Sequence, residues 1–198
     1  LNTSRLTFKQ YPVCAGAQGS VAAVLKLIAE NKLDAGKIKH LRCEVTPAIG
    51  HYMQHRVPEN ITEAQFSLPY CVACAMRFGD IGFKHLDEEA IRDPITLAQL
   101  DKVEVVLSEG LAVQEATNDD HIEPAIAIAS TNDGREFSTM VKAPPGTPVQ
   151  PLTDQQLEAK FESCLAAGPV FDTAAGLIDG IWHLEEQSSV LALLNTRR

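Results

Sequence analysis

Apolar residues recur at Val21, Val24, Leu25 and Ile28, the i, i+3, i+4, i+7 spacing of one helical face, and Asn31 closes the run before a polar stretch. Upstream, Leu6 to Tyr11 alternates as a short strand does. Between the two lies Gly16-Ala17-Gln18-Gly19-Ser20, read as a glycine-bearing turn with Ser20 as the helix cap. Leu41, Cys43 and Val45 fall on one side of a strand predicted over Lys37 to Thr46. Leu68 to Phe78 reads as a buried helix that tolerates Pro69 near its start and stops at Gly79. Asp93 followed by Pro94 predicts a short capped helix through Leu100, and Val103 to Leu107 follows as a strand. Ile122 to Ala129 and Glu136 to Ala143 flank Asn132-Asp133-Gly134, which predicts an antiparallel hairpin. The stretch from Pro47 to Tyr70, with three Pro, one Gly, two His and Arg56, has the composition of a functional loop.

Helices and strands are thus mixed, with at least one antiparallel pair, and the fold class is α+β. Ala143 to Pro151, APPGTPVQP, reads as a stiff irregular connector and the best boundary in the chain. Beyond it Thr153 and Gln156 form a capping box for a helix to about Ala166, and further helical stretches are expected near Phe171 to Ile178 and Val190 to Leu194. So short an all-helical tail makes a poor core alone and is expected to pack on further chain or on a partner subunit.

The 198 residues, 45% hydrophobic and 22% charged, suffice for one good core. No apolar run approaches the roughly 18 to 20 residues that span a bilayer, so no membrane association is expected. The chain opens on Leu1, as a piece of a longer protein or a processed product does. A net charge of −9 argues against nucleic acid as a partner. Its distribution is uneven: residues 1–60 carry a net +4 and residues 61–198 a net −13, which places a small anionic ligand with the first third. Five cysteines at irregular spacing, Cys14, Cys43, Cys71, Cys74 and Cys164, fit a reducing, cytoplasmic compartment. Cys71 and Cys74 form a CxxC but lack further ligands at matching spacing, and they share a helical face with Ala75 and Phe78. They read as core packing, with no metal expected.

Lys9 to Leu27 carries the candidate chemistry. A helix start presents amides without intrahelical partners and the positive end of the dipole, which suits a carboxylate or phosphate. Gly16 and Gly19 allow close backbone approach there, with Ser20 beside them. The same segment is compatible with a plain strand-turn-helix connection, being neither GxGxxG nor a P-loop.

Three blocks, KQYPVC at Lys9 to Cys14, AQFSLPYCVACAMRFGD at Ala64 to Asp80, and DGREF with GTPVQPLTDQQLEAKF between Asp133 and Phe161, resemble in order and spacing the C-terminal part of the MmgE/PrpD family. That family includes 2-methylcitrate dehydratase, cis-aconitate decarboxylase and iminodisuccinate epimerase. The resemblance implies an α+β lid domain over residues 1–143, followed by a connector and helical tail over 144–198 that packs on an N-terminal helical domain of the same protein. It implies a small polycarboxylate substrate, no metal or organic cofactor, and a homodimer. Carried over, Lys9 pairs a substrate carboxylate, and Tyr52 matches a tyrosine of the decarboxylase active site. Cys14 stands where some members have His and many Cys. Gln18 stands where the decarboxylase has His and methylcitrate dehydratases have Gln. Lys9, Tyr52 and Cys14 are therefore the catalytic candidates. Gln18, Gly19 and Ser20 are the substrate-binding candidates, together with His51, His55 and Arg56 around Tyr52. The favoured activity is dehydration of a citrate-like acid; decarboxylation, epimerisation and a non-catalytic dimerisation or ligand-sensing module are the alternatives.

Overall fold

The computed structural model describes residues 6–116, 123–168 and 174–191. It divides the chain into two compact units, Leu1–Pro151 and Leu152–Arg198. The stretch 144–151, grouped above with the tail, is held within the first unit: Gly146 accepts a hydrogen bond from the Phe8 amide at 2.8 Å, and its own amide donates to the Gln150 carbonyl.

The first unit is built on a four-stranded mixed sheet in the order β2-β1-β3-β4, with β1 Ile38–Val45, β2 Val103–Leu107, β3 Ala125–Thr131 and β4 Glu136–Val141. β1 runs parallel to β2, in a register that pairs Cys43 with Val105, and antiparallel to β3, with Cys43 opposite Ala127. β3 and β4 form the expected hairpin; Ile122, where the first arm was expected to begin, lies outside the described residues. The fold class is α+β, as the patterning predicts.

Two long helices, α1 Ala15–Asn31 and α4 Leu68–Phe78, cover one face of the sheet, α1 against β3 and β4, α4 against β2 and against α1. β3 turns Ala125, Ala127 and Ala129 inward. These small residues make a shallow face on which α1 lies close, and Val21, Val24 and Leu27 fill the space beside them with no exposed surface. α4 starts at Ser67, whose hydroxyl accepts the Tyr70 amide, and ends at Gly79, whose φ of 67° is the left-handed conformation a helix terminus of this kind requires.

The structure corrects three expectations. Leu6 to Tyr11 is not a strand: Leu6 to Lys9 are exposed and without regular structure, and among the described residues no strand pairs with them. The first helix begins at Ala15, so Gly16, Gly19 and Ser20 are interior helical residues and Cys14 is the N-cap. Two glycines weaken an isolated helix by about 1 kcal/mol each, but every residue from Gly16 to Val24 is buried, and tertiary packing compensates. The Pro47–Tyr70 stretch is not a loop throughout. It contains α2 Pro47–Tyr52, capped by Thr46 with proline in its first turn, and α3 Ile61–Gln65, capped by Asn60. The remaining crossover to β2 contains α5 Pro94–Gln99, capped by Asp93 as expected; α6 Glu109–Ala116 follows β2.

The second unit has α7 Asp154–Ala166, started by the predicted box in which Thr153 and Gln156 exchange hydrogen bonds, and α8 Ala174–Trp182. The Trp182 indole donates to Glu158 at 2.8 Å. Residues 171–173 and 192–194 of the two expected helical stretches lie outside the described residues. Among the described residues no helix is long and apolar enough to cross a membrane.

Candidate functional site

The N-terminus of α1 is a built position. Cys14 takes an extended N-cap conformation but its thiol makes no capping bond, and no acidic residue stands in the first turn. The amides of Ala15 and Gly16 thus have no intrahelical partner and lie at the positive end of a 17-residue helix. The chain leading into it is clamped twice. The buried Gln18 side chain accepts the Tyr11 amide at 3.1 Å and donates to the Tyr11 carbonyl at 2.9 Å and the Val13 carbonyl at 3.3 Å. Gln65 donates from its side chain to the Pro12 carbonyl, and its own carbonyl accepts the Cys14 amide, each at 3.0 Å.

Tyr52, the last residue of α2, is seated on this helix start. A Cβ at position 16 would lie 2.9 Å from its Cε2 and 3.0 Å from its hydroxyl oxygen, so the ring occupies space that glycine leaves open. Its hydroxyl donates to Glu123 Oε1 at 3.5 Å. One turn further along α1, Gly19 meets the Glu123 backbone: a Cβ there would be 2.5 Å from the Glu123 carbonyl oxygen. The two glycines serve close approach of Tyr52 and of the chain entering β3.

The other candidates divide. Lys9 is exposed, its backbone fixed between Phe8, tied to Gly146, and the clamped Tyr11; among the described residues its ammonium makes no ion pair or hydrogen bond. Cys14 is half-buried at the helix start. Gln18, by contrast, faces the chain itself. Gly19 and Ser20 lie in the second turn, where their amides belong to the helical ladder, and the buried Ser20 hydroxyl has no hydrogen-bond partner among the described residues. Arg56 donates to the Leu100 carbonyl at 2.9 Å and the Val103 carbonyl at 3.4 Å, anchoring its loop to the start of β2. His55 lies 3.7 Å from Glu63, and His51 is exposed at the end of α2. Tyr52 and the Cys14–Gly16 turn are therefore the predicted groups brought together. Glu123 and Gln65 were not foreseen. Gln65 stands inside a recognised block, whereas Glu123 lies 71 residues from Tyr52 and carries no local signal.

Burial raises the Tyr11 phenol to about 12, with the charge of Asp80 adding to it, so this buried tyrosine stays protonated at neutral pH. Burial likewise raises Cys43 and Cys74 to about 12 and Cys71 well above its ordinary value. The CxxC is core packing, and no cluster of potential metal ligands occurs among the described residues.

A recess of about 930 Å³ opens elsewhere in this unit, lined by the end of α4, residues 84–93 and the start of α5, and contains none of the candidate residues. Its charges are largely engaged locally: Arg77 binds Asp93 and Thr96, Arg92 lies 3.3 Å from Glu88, and Asp87 accepts the amides of Glu89 and Ala90. The site therefore rests on the α1 start.

No individual curated protein matches the chain. The MmgE/PrpD C-terminal domain matches residues 11–186. That span contains the clamp from Tyr11 to Gln18, both glycines of α1, Tyr52 and the whole sheet, and the chain accordingly belongs to the MmgE/PrpD family, of which it carries the C-terminal domain.

Proposed function

We propose that this chain is the lid-type portion of an MmgE/PrpD enzyme that moves or removes a proton beside a carboxylate of a small di- or tricarboxylic acid, without metal or organic cofactor, and that dehydration of a citrate-like acid is its reaction. The observation that carries the reading is the seating of the Tyr52 phenol on the uncapped, acid-free first turn of α1 within that family's domain. Such chemistry needs positive groups to hold carboxylates and stabilise developing enolate charge, and a proton donor or acceptor beside the reacting carbon. The amides of Ala15 and Gly16 supply the first role with the Lys9 ammonium, and Tyr52 supplies the second. An N-terminal helical domain of the same protein contributes the remaining groups, in a cytoplasmic homodimer.

Gln18 was the residue that favoured dehydration over decarboxylation. Its side chain is fully engaged with Tyr11 and Val13, so it acts on the reaction only by shaping the helix start. The choice is therefore put to experiment: the full protein is incubated with 2-methylcitrate, cis-aconitate and iminodisuccinate, and products are followed by NMR. Lys9→Ala is expected to lower kcat/KM about a hundredfold or more, the scale of losing one charge-stabilising donor. Undiminished turnover in that variant would reject the role of Lys9.

A further inference from the structure

Resting on the reading above, we propose that Glu123 is a positioning residue that fixes the Tyr52 phenol over the first turn of α1. Tyr52 ends a six-residue helix and is 42% exposed, so its own element does little to fix the ring. Two features from outside α2 do so. The hollow at Gly16 receives the ring edge, and the Glu123 carboxylate accepts the hydroxyl at 3.5 Å.

Glu123 is suited to this because its own backbone is pinned. Its carbonyl sits against α1 at Gly19, the next residue is the buried Pro124, and β3 begins one residue later at Ala125. Gly16 and Gly19 lie three residues apart on one side of the helix, so ring and carboxylate-bearing chain are received by adjacent hollows of the same element. A hydroxyl that donates to Glu123 turns its lone pairs away from that carboxylate. The phenol oxygen is thus held with a fixed direction 3.0 Å from where a residue-16 Cβ would stand, beside any anion gathered by the first-turn amides. Displacement of such a group by about 1 Å costs rate far more than it costs binding.

The test uses the full protein carrying Glu123→Ala, Glu123→Gln, Tyr52→Phe and the double change Tyr52→Phe with Glu123→Ala. Glu123→Ala is expected to lower kcat about tenfold with KM held within about twofold, because orientation and not substrate affinity is lost. Glu123→Gln, which keeps an acceptor oxygen, retains most of kcat. In the Tyr52→Phe background Glu123→Ala costs nothing more, which a merely structural role does not produce. An activity-independent readout is the Tyr52 ring resonance in protein labelled with ring-¹³C tyrosine, assigned by its loss in Tyr52→Phe and expected to shift in Glu123→Ala. Wild-type kcat in Glu123→Ala, full additivity with Tyr52→Phe, or an unmoved ring resonance overturns the inference. If Lys9→Ala and Tyr52→Phe abolish turnover while Glu123→Ala keeps wild-type kcat, the inference falls and the enzyme reading stands. If the wild-type protein turns over none of the three acids, that reading falls, and the ring resonance alone decides whether Glu123 orients Tyr52.

Discussion

The Gln18 side chain satisfies both main-chain groups of Tyr11, accepting its amide and donating to its carbonyl. A helical residue thereby holds the segment that precedes its own helix, and the register between the KQYPVC block and the start of α1 depends on one buried amide. Gln18→Ala leaves a buried donor and two buried acceptors without partners, at about 1–3 kcal/mol for each unsatisfied group and less where water enters. The expected result is a loss of about 2–4 kcal/mol in urea unfolding, accompanied in the full protein by a fall in kcat as the first turn loosens. Unchanged stability would show that the clamp is dispensable.

Gly16 and Gly19 should respond differently to the same substitution. Alanine in a helix interior is favoured over glycine by about 1 kcal/mol. At position 19 the new methyl meets main chain, the Glu123 carbonyl 2.5 Å away, and something rigid must shift. Gly19→Ala is therefore expected to destabilise by about 1–3 kcal/mol, as overpacking does. At position 16 the methyl meets the Tyr52 side chain, which is exposed enough to swing aside. Gly16→Ala should change stability by less than about 1 kcal/mol, yet lower kcat by displacing Tyr52. Paired unfolding curves and kinetics separate the two outcomes; equal effects at both positions would contradict the geometry.

The contrast between these glycines also explains what sequence patterning reveals here. β1, β2 and α4 were legible because alternation, an apolar run and a terminal glycine agree with the burial they produce. α1 begins six residues before the Ser20-capped start that patterning predicts, because its glycines look like a turn. Their cause, a tyrosine from α2 and a backbone carbonyl before β3, lies 36 and 104 residues downstream and leaves no local trace. α2 and α3 were hidden by a Pro- and His-rich composition, although Thr46-Pro47 and Asn60 with Glu63 are the same cap signals that located α5 and α7. Tyr52 entered through family resemblance alone. Gln18 and Arg56, assigned above to substrate, show a different use of a polar side chain in a functional-looking segment: both donate to backbone carbonyls, Gln18 to those of Tyr11 and Val13 and Arg56 to those of Leu100 and Val103.

Asp93 links the α5 cap to pH. Its carboxylate accepts from Arg77, the larger influence, and from the Thr96 hydroxyl and amide, which together hold its pKa at about 2. The corresponding unfolded value is about 3.9. Because the folded pKa is depressed, the contribution is fully present above about pH 4 and is lost as pH falls through about 2, where the folded state too takes up the proton. Asp93→Asn removes this titration while keeping a capping oxygen. Urea midpoints measured for both proteins at pH 5, 4, 3 and 2 should therefore converge on acidification, with wild type the more stable at pH 5 and its advantage shrinking towards pH 2. A difference that stays constant across that range would mean the carboxylate is not held ionised by Arg77.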